Sequence, residues 1–294
     1  MSRLLSRFVG LLLACCLVWS VLPGGGALAD QRVLPTDESA VSDDLVRPDW
    51  VSASVTARAS GRRVEVLSQR SEFGRAWVRP DGLVDEETAA GPVRFRDPGA
   101  ADGWRAIDTS LVRGADGRLR ARAVRAGVTL GSGSAPVVDV AGSLSLSLPG
   151  VVLPEPVVDG STAVYVDVVA GVDVRVEVLP VGFELLWVVK SRAGAAELLR
   201  RWGGSGGLEL PTSVSTPASV RSGVQDGRLV LTGPLGAPVG AFGAPVMWEA
   251  PASKAESRGV VVPVEFQLGS GRACCQLPSP CGRLETACII EVIS

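Results

Sequence analysis

AVYVDVVAGVDVRVEVLPVGFELLWVVK, residues 163–190, carries the pattern that decides the fold. Ala163–Val169 and Val172–Leu179 are Val-rich runs joined through Ala170-Gly171, and Pro180-Val181-Gly182 turns the chain into Phe183–Lys190. Valine at every second position is the signature of a strand with one buried face, and β-branched side chains favour that pleated surface.

The rhythm continues in both directions. Upstream, Leu144, Leu146 and Leu148 alternate with serines in Ser143–Leu148. Val64 and Val66 open a strand-like run, and Phe73–Arg79 and Leu83–Thr88 form a hairpin about Pro80-Asp81-Gly82. There proline presets φ and glycine accepts a positive φ. Val93 and Phe95 alternate with Arg94 and Arg96, which predicts a half-buried strand with its arginines outward. Asp97-Pro98 and Asp102-Gly103 bracket a loop, Trp104–Ile107 resumes the sheet, and Asp116-Gly117 turns it again. Downstream, Ala195–Trp202 alone reads as helix. Asp226-Gly227 leads into Arg228–Thr232, and prolines and glycines punctuate residues 234–243. Short runs separated by frequent turn signals predict an all-β chain, a β-sandwich-like stack of layered antiparallel sheets.

Arg3 and Arg7 precede an apolar run, Phe8–Leu22, and Ala27-Leu28-Ala29 is a small-x-small cleavage pattern before Asp30. Residues 1–29 therefore read as a secretory signal peptide, which places the chain outside the cell or at its wall, with no transmembrane segment after cleavage. An alternative is lipid anchoring through Cys15, because Leu12-Leu13-Ala14-Cys15 loosely resembles a lipobox. Residues 30–60 read as a disordered linker, acidic at Asp37, Glu38, Asp43 and Asp44, with a short helical turn that Asp49 can cap. A β module is expected over 61–268, with a split into two sub-domains near 135–142, followed by an atypical cysteine-containing tail, 269–294.

The formal net charge of −2 gives no global field for nucleic acid or an anionic membrane. The chain has no histidine, which removes His-based triads, His general bases and His metal ligands.

Three stretches in order carry a family resemblance. They are EVLSQRSEFGRAWVRPDGLVDEETAAGPVRFRDPG (Glu65–Gly99) running into GWRAIDTSLV (Gly103–Val112), VVAGVDVRVEVLPVGFELLWVVKSR (Val168–Arg192), and DGRLVLTGPLGAPVGAFGAPVMWEA (Asp226–Ala250). Together they resemble the N-terminal β-rich region of secreted actinobacterial wall proteins of the DNRLRE-domain and RHS (YD)-repeat class, over most of Val51–Val264. The resemblance implies a non-enzymatic presentation module ahead of adhesive domains, repeats or a toxin tip, with cell-wall polymers or other surface proteins as partners and no cofactor. A YD-repeat array needs recurring tyrosines and Tyr165 stands alone, so the chain reads as a fragment of such a protein. Cysteine is absent from Leu17 through Ala273, and then Cys274, Cys275, Cys281 and Cys288 follow closely. Two readings stay open for them: a reading-frame change near Gly269–Arg272, or a small disulfide cap with three alternative pairings.

Other residues can be weighed for chemistry. Asp97, Asp102 and Asp108 can offer oxygen ligands to calcium, though aspartate is also the natural turn residue. Asp85, Glu86 and Glu87, with Asp167, Asp173 or Glu177, can be imagined as a carboxylate pair for glycoside hydrolysis, with no signature to fix it. Gly131-Ser132-Gly133-Ser134 reads as a flexible connector, since no Lys-Ser/Thr follows. Arg118, Arg120, Arg122 and Arg125 form a basic stripe that can touch anionic wall polymers or line the solvent face of a strand. Among Trp77, Trp104, Trp187 and Trp248, Trp104 is the one expected at the surface, where an indole can stack on a sugar, and Trp187 is expected in the core. The leading expectation is a non-enzymatic secreted or cell-surface β module, the N-terminal presentation part of a larger wall or polymorphic-toxin-type protein and a fragment of it. A lone carbohydrate- or wall-binding module is the alternative, and a glycan hydrolase comes third.

Overall fold

The computed structural model describes residues 45–204, 207–243, 245–249, 261–263, 265–269, 272–276 and 286–293. The chain divides into residues 1–45 and 46–294, and Leu45 apart, every element below belongs to the second unit. The signal-peptide and lipobox readings, and the linker reading for residues 30–44, lie outside the described residues.

β1 (Leu45–Arg47) is followed by α1 (Trp50–Ser60). The Ser52 N–H donates to Asp49 Oδ1 at 2.9 Å, and Gly61 ends the helix at φ +66°. The linker expected as far as residue 60 therefore carries an ordered helix in its last part. Asp49 satisfies an end-of-helix donor that would otherwise be orphaned, and Ala53 and Ala57, one turn apart, are buried. β2 (Val64–Val66), β3 (Gly74–Val78) and β4 (Val84–Thr88) complete a sheet in the order β1-β2-β3-β4. The β3–β4 hairpin turns at Gly82, φ +86°, as its Pro-Asp-Gly sequence predicts. β5 (Arg94–Arg96) and β6 (Trp104–Ala106) pair separately.

β7 (Asp108–Arg113), β8 (Leu119–Ala123), β9 (Val128–Leu130), β10 (Val138–Val140) and β11 (Leu144–Ser147) are successive antiparallel neighbours. β10 pairs on both sides, with β9 and with β11, over Val138–Val140. β12 (Val157–Asp159), β13 (Thr162–Val169), β14 (Val172–Leu179) and β15 (Gly182–Val189) form the meander read from residues 163–190. In β14, Val172, Val174, Val176 and Val178 are buried, while the residues between them are partly exposed.

α2 (Arg192–Trp202) then packs its first turn on the β13–β14 connection. Gly171 holds φ +75° there, and a Cβ on Gly194 would stand 2.5 Å from the Gly171 carbonyl oxygen, so both positions need glycine.

The remaining strands complete both large sheets. They are β16 (Gly203–Gly204), β17 (Gly207–Ser215), β18 (Arg221–Gln225), β19 (Arg228–Thr232) and β20 (Pro238–Phe242). After them come β21 (Val246–Glu249), β22 (Val261–Pro263), β23 (Glu265–Gly269), β24 (Arg272–Gln276) and β25 (Thr286–Ile293). One sheet has nine strands, β23-β24-β17-β11-β10-β9-β8-β7, with β16 alongside β17. The other has ten, β12-β13-β14-β15-β25-β20-β19-β18, with β21 also on β25 and β22 on β21. Thus the residues from 269 onward contribute strands to both sheets.

The two sheets share one interior. Leu119, Val128, Leu130, Val138 and Leu146 from the first join Tyr165, Val174, Val176, Leu185 and Trp187 from the second in a single buried cluster. The architecture is an all-β sandwich with a small N-terminal sheet and two helices. Each buried Val or Leu side chain contributes about 1.5–3 kcal/mol through removal of apolar surface from water. One polar bond crosses the interior: fully buried Tyr165 donates its Oη–H to the Gly131 carbonyl at 2.7 Å. Burial, with a small addition from Glu155, pushes the phenol well above its ordinary pKa, so it remains a donor. Replacing Tyr165 with Phe strands that carbonyl, and urea unfolding is expected to show a loss of about 1–2 kcal/mol with an unchanged fold by circular dichroism.

Candidate functional site

The stretch Ala90–Val112 concentrates arginine, aspartate and tryptophan. Its first part breaks the sequence expectation. Arg94, expected to face outward, is only 7% exposed. Its Nη1 donates to the carbonyls of Ser71 at 3.1 Å and Gly74 at 2.8 Å, the latter also accepting the Ser71 N–H. A short strand paired on one side can turn its arginine inward when such carbonyls await it. Arg96, by contrast, lies over the Trp104 ring, its guanidinium carbon 3.9 Å from the ring centroid. β5 and β6 pair these residues directly, Arg96 opposite Trp104, so the contact is built into the register. Trp104 is half-buried, and one face of the indole is already covered by this cation.

A repeated unit explains the aspartates. In each of Asp81, Asp97, Asp102, Asp108 and Asp116, Oδ1 accepts the backbone N–H two residues later, from Leu83, Gly99, Trp104, Ser110 and Arg118 respectively. The other carboxylate oxygen of each meets an arginine: Arg79 for Asp81, Arg105 for Asp97, Arg70 for Asp102, Arg122 for Asp108 and Arg120 for Asp116. One oxygen fixes the turn and the other ties it to a neighbouring strand or loop. The Asp97, Asp102 and Asp108 carboxylates weighed for calcium are thus separate turn locks. Among the described residues no group of three His, Cys, Asp or Glu side chains is placed to hold a metal ion.

Asp102 belongs to the most buried of these networks. Glu65, 2% exposed, takes a bidentate pair from Arg70, with Nε to Oε1 at 2.7 Å and Nη2 to Oε2 at 2.9 Å, and Arg70 reaches Asp102 through Nη1. Burial raises the Asp102 carboxyl, but the Trp104 N–H and the Arg70 charge outweigh it and hold the pKa below the ordinary value. The Arg120 hydrogen bond does the same for Asp116.

The basic stripe is similarly committed. Besides the Arg120 and Arg122 pairs above, Arg118 Nη2 lies 3.7 Å from Asp139 Oδ2, and Arg125 pairs with Glu72. Arg120 and Arg122 are exposed on one face of β8, whose Leu119 and Ala123 are buried on the other. A depression of about 400 Å³ beside β8 carries both signs, Arg113 and Arg118 with Asp116 and Glu155.

Carboxylates weighed for glycan chemistry fall on three strands, β4, β13 and β14. Asp85, Glu86 and Glu87 lie on β4, where Asp85 approaches Arg79 at 3.9 Å and Glu87 pairs with Arg75 at 3.0 Å. Asp167 and Asp173, on β13 and β14, converge on Lys190 Nζ at 2.8 and 2.7 Å, and Glu177 pairs with Arg175. The Lys190 hydrogen bond lowers the Asp167 pKa, the direction opposite to that of a general acid. The Gly131–Ser134 connector, expected to be flexible, is pinned by reciprocal backbone bonds between Gly133 and Leu153, at 2.8 and 2.9 Å. Trp77 and Trp187 are buried, Trp77 with Arg63 and Arg75 over its ring and Trp187 edge-on to Trp202. β24 holds Cys274 and Cys275 opposite Pro211 and Leu210, and β25 holds Cys288 opposite Trp187. Cys281 and the Trp248 side chain lie outside the described residues.

Sequence reading missed Glu65, Arg70 and Arg94. Glu65 and Arg94 signal only as charge inside short apolar runs, a pattern shared with solvent-facing positions, and Arg70 lies in the polar stretch Ser68–Glu72. No family model matches the chain, and no curated protein or solved structure compared with it matches either.

The Asp102 linkage has a definite sign. A carboxyl with a depressed folded-state pKa stabilises the fold above its unfolded value of about 4, and that contribution is lost as pH falls through the folded value. Asp102→Asn is expected to lower stability at pH 7 by no more than about 1 kcal/mol, because the Asp102 side chain is itself 42% exposed and solvent screens the pair. The deficit relative to the parent shrinks as pH falls below about 4, which urea titrations across the acid range measure.

Proposed function

We propose that the chain is an exported, non-enzymatic β module of the cell surface, a rigid scaffold that presents neighbouring segments or meets wall polymers and other surface proteins. The observation that carries this reading is the fate of its aspartates, five of which each spend one oxygen on a turn and the other on an arginine. Such carboxylates hold loops still, with both oxygens already occupied by a backbone N–H and an arginine. Absence of histidine from the sequence and the likeness to wall-protein N-terminal regions support the same reading. The pattern of residues 1–29 supports export. No helix among the described residues is long and apolar enough to cross a membrane.

Expression of the full chain in an exporting actinobacterial host, followed by fractionation and N-terminal sequencing, tests the proposal. The expected product begins at Asp30 and is recovered from the wall or medium. A product beginning at Cys15 in the membrane fraction supports lipid anchoring instead. Retention of Met1 in the cytoplasm contradicts export, and release of soluble sugars from purified wall by the chain contradicts the non-enzymatic reading.

A further inference from the structure

β4 ends the four-stranded sheet, and among the described residues no strand pairs with its outer edge. Which of its backbone groups face that edge follows from the ladder. The Arg79 N–H donates to the Leu83 carbonyl and the Ala89 N–H to the Phe73 carbonyl, so the pairs flanking the β3–β4 register at both ends are hydrogen-bonded. Bonded and non-bonded pairs alternate along an antiparallel ladder, so Trp77–Asp85 and Arg75–Glu87 are bonded as well. A Cβ on Gly74 would stand 2.3 Å from the Glu87 carbonyl oxygen, in keeping with that carbonyl facing β3. The N–H and C=O groups of Val84, Glu86 and Thr88 therefore point outward, and among the described residues none of them meets a hydrogen-bond partner.

Edges of this kind are usually blunted by proline, lysine, a bulge or a covering loop. β4 reads VDEET, with neither proline nor lysine, and its register with β3 runs without a shift. Val84, Glu86, Glu87 and Thr88 are all exposed. Charge selects among the strands that can add there. Antiparallel pairing with a second copy, centred on Glu86, sets Glu86 against Glu86 and Asp85 against Glu87, and like charges directly opposite are destabilising. A cationic strand meets an attractive field instead. Glu86 forms no ion pair among the described residues, and Glu87 stays 57% exposed beside Arg75. We propose that the outer edge of β4 binds an extended, lysine- or arginine-rich polypeptide, which adds to the sheet as a further strand with a basic side chain opposite Glu86. This gives the surface-protein partner of the proposed function a chemical class, and a test on purified protein is independent of the export reading.

A blocked octapeptide alternating lysine with valine is the probe, its glutamate–valine counterpart the control, and the purified full chain the target. With the lysine peptide in excess, amide hydrogen exchange at Val84, Glu86 and Thr88 is expected to slow by about tenfold or more as edge bonds form. Asp85 and Glu87, already bonded to β3, serve as internal references. Glu86→Lys is expected to weaken peptide binding by about threefold or more. Glu86→Pro removes an outward N–H without costing a β3 bond, and is expected to abolish the protection at Val84 and Thr88. No protection at these amides with millimolar lysine peptide, or equal protection by the glutamate peptide, overturns the proposal. Protection that grows with protein concentration in the absence of peptide makes a second copy the occupant and overturns it too. Undiminished protection in folded Glu86→Pro overturns the site.

Discussion

Four valines of β14 point the same way and are all buried, and a strand with that pattern is stable only when a second apolar surface covers it. That cover is the inner face of the nine-stranded sheet, where Leu119, Val128, Leu130, Val138 and Leu146 join the same cluster. With few aromatic residues available, the interior relies on many small contacts from Val and Leu, plus Trp187, Tyr165, Phe183 and Phe242 as larger fillers. Dispersion and apolar burial over so many close-packed groups are collectively large although each is small. Tyr165 adds direction to this otherwise non-directional interior, since its hydroxyl must meet the Gly131 carbonyl.

Charge performs a different task at the rim. At Asp81, Asp97, Asp102, Asp108 and Asp116 an aspartate locks the turn and an arginine locks the aspartate. Exposed pairs of this kind add little stability individually, yet they define loop geometry. The buried Glu65–Arg70 pair is a stronger constraint, because removing either partner leaves an uncompensated charge out of water. The arginine richness of residues 94–125 thereby follows from loop fixation, and the stripe on β8 is a solvent face whose arginines are paired.

Sequence periodicity made the sheets legible where strands are long and one-sided. The three-run reading of residues 163–190 coincides almost residue for residue with β13, β14 and β15, and Arg228–Thr232 is β19 as read. The hairpin around Pro80-Asp81-Gly82 was legible because its turn chemistry is local. β17 carries Pro211, and proline within a run argues against a strand. In the fold it sits near the point where β17 changes partner, from β24 over residues 209–212 to β11 over 213–215. Arg94 was misread because alternation places it opposite Val93 and Phe95 but cannot reveal two carbonyls waiting across a non-local contact. Helix α1 was read as a mere turn, since Val51 and Val55 face solvent while the small Ala53 and Ala57 are buried, which inverts the usual amphipathic signal. For the site, the residues were visible but their partners were not, because pairing such as Arg70 with Asp102 joins positions far apart in the chain.

The central claim is that both large sheets are one cooperative unit held by a shared interior. Native-state hydrogen exchange tests it directly. Amides of β14 and of β10–β11 are predicted to exchange with the same opening free energy, equal to that of global unfolding. If β10–β11 opens at markedly lower free energy while β14 stays protected, the sheets fold as separate units and the account is contradicted.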